Sequence, residues 1–456
     1  MTDTRKSKKL ERLDKLHIWH PFTRMLEWEK ESQIIIERGE GCYLIDTEGR
    51  RYLDGVSSLW TNVHGHRKKE IDDAIKRQID KISHSTLLGL GNVPSIELAE
   101  KLVSIAPKGL TKVFYSDNGG TAVEVALKMA FQFWKGKRKT FLSFSGAYHG
   151  DTFGGMSVGE IDIFVERYRP LLFKSYRAPY PYCYRCPVKA GKTYPACKMA
   201  CLDELESILK KHGKNTAACI IEPLVEGAAG MITAPSGFLK GVRRLTRKYG
   251  VLLIADEVAT GFGRTGRMFA CQGEGVAPDF LCLAKGLSGG YLPLAATLTK
   301  KKIYSEFLGT GKKPDAFYHG HTYTGNPLGC VSAIANIGIF KKERTIEKLQ
   351  PKIRLLEKLL EDFHLLKHVG EVRQKGMMCA IELVEDRDTK KPYPPDLRIG
   401  KRVCLEARNK GLIIRPLGDN VVVMPPLGIN KRELREMASV IFRAIEKVTE
   451  SERLKK

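Results

Sequence analysis

Short apolar runs alternate with helical stretches through the middle of the chain, and that alternation predicts its architecture. Between about residues 70 and 340, apolar runs at 112–115, 140–144, 217–221, 251–255, 280–283 and 295–298 have the length of buried strands. Helical segments separate them, which predicts an α/β domain around a mainly parallel sheet. Ahead of this region, a helical arm containing His17 leads to strands at 34–36 and 42–45. A turn at 46–49 then precedes a strand at 51–53. Beyond it, 376–383 and 421–424 predict strands of a smaller α+β lobe. The stripe Leu434, Met437, Val440, Ile441, Ala444, Ile445 and Val448 predicts its last helix. The expected division is 1–69 as arm and hairpin belonging to the small lobe, 70–340 as the large domain, and 341–456 as the small domain.

Two of the apolar runs end in chemistry. The run 280–284 closes on Lys285 and continues into Gly286-Leu287-Ser288-Gly289-Gly290. A lysine at a buried strand end has its ammonium destabilised by desolvation and can serve as an amine nucleophile, although a lone lysine there can also simply snorkel to solvent. The run 251–255 closes on Asp256-Glu257 and a glycine-rich turn. In open α/β sheets, ligands bind outside the carboxyl ends of the strands, so Asp256 and Lys285 can face one pocket. Pyridoxal phosphate needs that pair: a lysine for its aldehyde and an acid for its ring nitrogen. Gly119-Gly120 before a helix start can hold a phosphate on backbone N–H groups, with a plain turn as the competing reading. Tyr148-His149, between glycines, can stack on a planar ring or pack as an ordinary loop.

In this order along the chain, these segments resemble the class III, ornithine/omega-type, pyridoxal-phosphate aminotransferases, and within them the diaminopelargonate synthases of biotin biosynthesis. The resemblance runs from about residue 17 to 426. It rests on His17-Ile18-Trp19-His20-Pro21-Phe22-Thr23, Asp54-Gly55-Val56-Ser57-Ser58-Leu59-Trp60, Tyr148-His149-Gly150-Asp151-Thr152, Asp256 through Gly266, Lys285-Gly286, His319 through Leu328, and Ile414-Arg415-Pro416. It implies the aspartate-aminotransferase fold (fold type I), in a homodimer with shared active sites. Lys285 would carry the cofactor as a Schiff base and shuttle the proton, with Asp256 on the ring nitrogen. Gly119, Gly120, Tyr148, His321 and the partner's Thr322 would contact the cofactor. Phe22, Trp60, Tyr148, Gly320 and Arg415 would contact substrate. The implied acceptor is 8-amino-7-oxononanoate, aminated to 7,8-diaminononanoate, with S-adenosylmethionine as donor. Phe22 and Leu59-Trp60 stand where many S-adenosylmethionine users carry Tyr and Trp-Trp, which keeps lysine open as donor and another omega-amino-acid transaminase as an alternative. Gly120 stands where some relatives have Ser, which removes a hydroxyl from the phosphate cup and leaves its backbone donors.

Composition changes little. At 456 residues and 43% apolar content, the chain can bury cores in more than one lobe. No apolar run approaches the roughly 18 residues that span a bilayer. The first residues are charged without an apolar segment after them, so a cytoplasmic enzyme without membrane contact is expected. The net charge of +24, from 76 basic against 52 acidic residues, raises nucleic acid as a partner. The basic residues are scattered among acids and accompany no recognition motif, so none is expected. Of eleven cysteines, most sit singly in apolar runs as small core residues. Cys183-x-x-Cys186 and Cys197-x-x-x-Cys201 differ, having the look of zinc ligands, but the second pair is wide and the loop short. No metal is expected in the catalytic chemistry. Glu222, before Pro223, either supports the site or caps a turn, and His149, His319 and His321 lack ligand spacing.

Overall fold

The computed structural model describes residues 4–189, 191, 193–309 and 315–450. At its centre is a seven-stranded sheet in the spatial order Leu110–Ser116, Ala295–Lys300, Phe280–Leu283, Leu252–Asp256, Thr216–Ile221, Thr140–Phe144 and Tyr176–Ala178. Ala295–Lys300 is antiparallel to both of its neighbours, and the other strands run parallel. The mainly parallel α/β sheet expected from the sequence is therefore present, with Tyr176–Ala178 as an edge strand too short to have been read from its pattern.

The central strands are apolar throughout because both of their faces are covered. Successive side chains go to opposite faces, so Ile220, Ile254, Phe280 and Cys282 pack with the helix Gly119–Phe133, while Cys219, Ile221, Leu253, Ala255, Leu281 and Leu283 join the larger core on the other side. Asp279, just before Phe280–Leu283, sits between these layers. It accepts two hydrogen bonds from Arg243 at 2.7 and 3.2 Å, one from Lys300 Nζ at 2.7 Å and one from the Leu253 N–H at 2.9 Å.

The chain ends meet beside this domain. Ile36–Glu40, Tyr43–Asp46 and Arg51–Asp54 form an antiparallel meander, completed by Leu412–Ile413 running parallel to Arg51–Asp54. A second four-stranded sheet joins Val369–Lys375, Met378–Leu383, Asn420–Val423 and Arg415–Leu417. The strand expected at 34–36 begins only at Ile36. The apolar reading at 376–383 caught one arm of a hairpin, whose other arm, Val369–Lys375, is half polar and partly exposed. Arg264, 1% exposed, ties the parts together: it donates to the Pro425 carbonyl at 2.8 Å, the Asn62 carbonyl at 2.7 Å and Ser57 Oγ at 3.2 Å. Among the described residues no helix is long and apolar enough to cross a membrane.

The Asp279 cluster sets an expectation for stability. Asp279→Ala leaves Arg243 buried without its counter-charge and costs about 3–5 kcal/mol, measurable by denaturant unfolding. Burial raises the Asp279 carboxyl, but hydrogen bonds and charge from Arg243 and Lys300 outweigh it and leave the carboxyl below its ordinary value. The contribution is therefore full above the unfolded pKa of about 4. The margin of the parent over Asp279→Ala shrinks as pH falls below that value.

Candidate active site

The carboxyl ends of the parallel strands open into a cavity of about 730 Å³, lined among others by Asn118, Gly119, Gly120, Tyr148, Asp256 and Lys285. Asp256 is the last residue of Leu252–Asp256, and Lys285 follows Phe280–Leu283 after one residue. The alternation of strand side chains also sorts the acidic pair. Asp256 meets the cavity, while Glu257 turns away and accepts the N–H groups of Ala270 and Cys271 at 2.6 and 2.8 Å.

Asp256 is held on two sides. Its Oδ1 accepts the Val258 N–H at 3.0 Å, and its Oδ2 lies 2.8 Å from His149 Nδ1. His149 is 2% exposed, and its Nε2 is buried without a partner. The sequence reading left this histidine as a ring-stacking candidate or an ordinary loop residue and did not pair it with Asp256. The Tyr148-His149 pair between glycines carried the signal, and the buried aspartate that gives it meaning is distant in sequence.

Lys285 adopts a left-handed conformation, φ 44°, uncommon for a residue with a side chain. Among the described residues its amine has no hydrogen-bonded or ionic partner, and it lies 5.1 Å from the centre of the Trp60 ring. Desolvation lowers its pKa; the charges of Asp256 and Glu222 oppose that shift, and Arg264 and Arg415 add to it. Trp60 belongs to a turn in which Ser57, Ser58 and Trp60 all have positive φ. Asp54 holds that turn by accepting the Ser58 N–H at 2.8 Å and contacting His66 Nε2 at 3.0 Å.

Glu222, after Thr216–Ile221, accepts the Tyr148 N–H at 3.1 Å and the Gly227 N–H at 3.0 Å, so it joins two loops of the wall. Burial pushes its carboxyl up to about 7. Tyr148 donates its hydroxyl to Asp151 Oδ2 at 2.8 Å. At the opposite wall, Asn118 caps the helix Gly119–Phe133 by accepting the Thr121 N–H at 3.0 Å. Gly119 and Gly120, as its first residues, have N–H groups with no acceptor inside the helix. A Cβ on Gly119 would meet Val258 at 2.6 Å, and one on Gly150 (φ 105°) would meet Gly120 at 2.8 Å, so the cradle requires glycine at both places.

Not every expected residue reaches the cavity. Phe22 is exposed and packs edge-on against Phe164, which in turn packs against Tyr148. Arg415, largely desolvated, lies near enough to Tyr148 and Lys285 for its charge to be felt, without lining the cavity. Gly320 and Thr322 are exposed on a loop outside the cavity wall. His321 Nδ1 approaches Asp117 Oδ2 at 3.0 Å, without the alignment of a hydrogen bond. The four clustered cysteines are remote from this wall, and none is in a disulfide.

The residues present fit pyridoxal phosphate. An unpaired amine, a buried carboxylate and free N–H groups at a helix start line one cavity, and a side chain at Gly119 or Gly150 would crowd the place where a phosphate would approach.

Comparison with known proteins agrees. The profile described as "Aminotransferase class-III" matches residues 25–445. The adenosylmethionine-8-amino-7-oxononanoate aminotransferase of Geobacter sulfurreducens is 54% identical over 96% of this chain and 97% of its own, and that of Aquifex aeolicus is 52% identical over 97% and 98%. The crystal structure of adenosylmethionine-8-amino-7-oxononanoate aminotransferase from Methanocaldococcus jannaschii superposes with a TM-score of 0.92 at 49% identity, covering 96% of this chain and 99% of that one. A thermostable omega transaminase 6-fold mutant from Pseudomonas jessenii also gives 0.92, at 32% identity over 97% and 99%.

Replacing Asp256 by Asn keeps the shape and removes the charge that a protonated ring nitrogen requires. Turnover is expected to fall by about a hundredfold or more, with the cofactor still retained on gel filtration, as read from its absorbance.

Proposed function

The chain belongs to the class-III aminotransferases, pyridoxal-phosphate enzymes of fold type I, and from that membership we propose that it aminates 8-amino-7-oxononanoate to 7,8-diaminononanoate for biotin synthesis, with S-adenosylmethionine as the amino donor. The support for the acceptor is the shared name of relatives at 51–54% identity over nearly the whole chain. Lysine is the second reading for the donor, favoured by the single Trp60 after Leu59 in the cavity wall. We place the enzyme in the cytoplasm.

When bound, pyridoxal phosphate supplies a carbonyl that condenses with amines and a ring that accepts electrons from the reacting carbon. In this proposal, Asp256 faces the ring nitrogen, with His149 and the Val258 N–H fixing its two oxygens. Gly119 and Gly120 hold the phosphate through their N–H groups. Lys285 Nζ, whose charged form is disfavoured by burial, would hold the cofactor in the resting state. Once displaced, it would move a proton from the donor's amine-bearing carbon to the cofactor, and in the second half of the cycle from the cofactor to the acceptor's carbon. Tyr148, held by Glu222 and Asp151, covers the cofactor and substrate from one side.

Arg415 receives the acceptor's carboxylate. The guanidinium has no hydrogen-bonded or ionic partner among the described residues, and its fork suits a carboxylate better than an ammonium does. Trp60 walls the substrate chain, and Phe22, outside the cavity wall, backs it through Phe164 and Tyr148. Thr322, with Gly320 and His321, serves a neighbouring subunit's site in a homodimer. Thr322 is exposed outside its own cavity, and Tyr318 and Tyr323 beside it are 84% and 61% exposed, as befits a buried subunit contact. We also propose residues 70–340 as the cofactor-binding domain, with 1–69 and 341–456 forming the small lobe. Support comes from the strand Leu412–Ile413 joining the N-terminal meander; residues 1–3 and 451–456 lie outside the described part.

Mixing the yellow enzyme separately with S-adenosylmethionine, lysine and a simple omega-amine, and following loss of cofactor absorbance, identifies the donor. Bleaching by S-adenosylmethionine alone is expected; bleaching by lysine alone reassigns the donor, and bleaching only by the omega-amine removes the biotin-pathway reading. Arg415→Lys is expected to raise KM for the acceptor about tenfold, the loss of roughly 1.4 kcal/mol of fork geometry, with a smaller change in kcat.

A further inference from the structure

The segment between Tyr176–Ala178 and the helix Ala200–His212 carries chemistry that amino transfer does not use. Its two pairs of cysteines come together: Cys183, Cys186, Cys197 and Cys201 all line one small cavity of about 20 Å³, with Met199 and Tyr194 among its other walls. Those walls offer sulfur and carbon but no exposed nitrogen or oxygen. The void exceeds the roughly 10–15 Å³ that a single water occupies, yet a water there would have no hydrogen-bond partner beyond the thiols. A soft cation finds the ligands it prefers.

Among the described residues no three histidines, cysteines or acids already stand at metal-ligand spacing. Binding at the void that the four cysteines share therefore requires their side chains to turn toward the ion, with loss of their protons to solvent.

We propose that Cys183, Cys186, Cys197 and Cys201 form a tetrahedral structural zinc site. The spacings Cys-x-x-Cys and Cys-x-x-x-Cys fall within those of four-thiolate sites. Four S–H bonds break, four protons go to solvent, and four Zn–S bonds form, with no change of oxidation state. The site closes a segment whose described residues include the 3₁₀ turn Cys183–Arg185. That segment is docked on the small lobe: Arg185 Nε donates to Glu382 Oε1 at 2.8 Å and its Nη1 to the Lys390 carbonyl at 2.8 Å, while Lys390 Nζ donates to the Tyr184 carbonyl at 2.7 Å. Zinc here closes the segment onto the start of the helix Ala200–His212 and keeps the docked loop in shape, and it takes no part in turnover.

The test uses the holoenzyme purified under reducing conditions, with cofactor absorbance as an internal measure of folding. Elemental analysis is expected to give about one zinc per chain, the capacity of one four-ligand site. Cobalt(II) exchanged into the site should show tetrahedral thiolate ligand-field bands to the red of the cofactor. Cys201→Ser alters a buried helix position and can fail to fold, so Cys186→Ser, at a partly exposed position, decides. It should retain cofactor absorbance and kcat while losing metal at least about tenfold and melting at lower temperature. Metal-free protein with all four thiols titrating after zinc is supplied, a disulfide within the cluster by mass, or zinc retained in Cys186→Ser would each overturn the proposal.

Discussion

A sheet covered on both faces has no room for ionisable side chains along its strands, and this constraint places the chemistry. Thr216–Ile221 and Phe280–Leu283 are buried at every position. A charge within them would lose its hydration with nothing to replace it. Glu222, Asp256 and Lys285 accordingly stand just at or beyond the ends of three neighbouring strands. Parallel connectivity turns those ends to the same side. One amine and two carboxyls are thereby gathered in a place where water is scarce but a ligand can enter.

Within that place the carboxyls and the amine are treated differently. Each carboxyl is engaged by the protein: Asp256 by His149 and the Val258 N–H, Glu222 by the N–H groups of Tyr148 and Gly227. The Lys285 amine has only the face of Trp60. An unpaired amine beside two carboxylates, desolvated and in an uncommon backbone conformation, is held out of its most stable state. Desolvation lowers the pKa of that amine, the property a Schiff-base lysine needs.

The sequence displayed the parts of this site that depend on local pattern. Strand ends, glycine turns and the positions of Lys285, Asp256, Gly119 and Gly120 follow from runs a few residues long, and the sheet was legible for the same reason. What escaped depends on contacts between distant segments. His149 gains meaning only against Asp256. Val369–Lys375 has too polar a face to read as a strand until it pairs with Met378–Leu383. Phe22 and Arg415 were recognisable through resemblance, yet in this chain they stand outside the cavity wall, because side-chain placement at a rim depends on packing and ligands that periodicity does not encode.

Segments from both ends of the chain are joined beside the central sheet, where Leu412–Ile413 pairs with Arg51–Asp54. Arg264, on a glycine-rich turn, donates to the carbonyls of Asn62 and Pro425, so it grips the N-terminal and C-terminal contributions together. Burial lowers its pKa to about 10, still high enough to keep it charged near neutrality, and a buried charge without a carboxylate bonded to it demands those carbonyls. Asn62 closes the turn that carries Trp60, and Pro425 follows the strand that pairs with Arg415–Leu417. One guanidinium thus fixes, through separate segments, both the ring against Lys285 and the strand bearing Arg415.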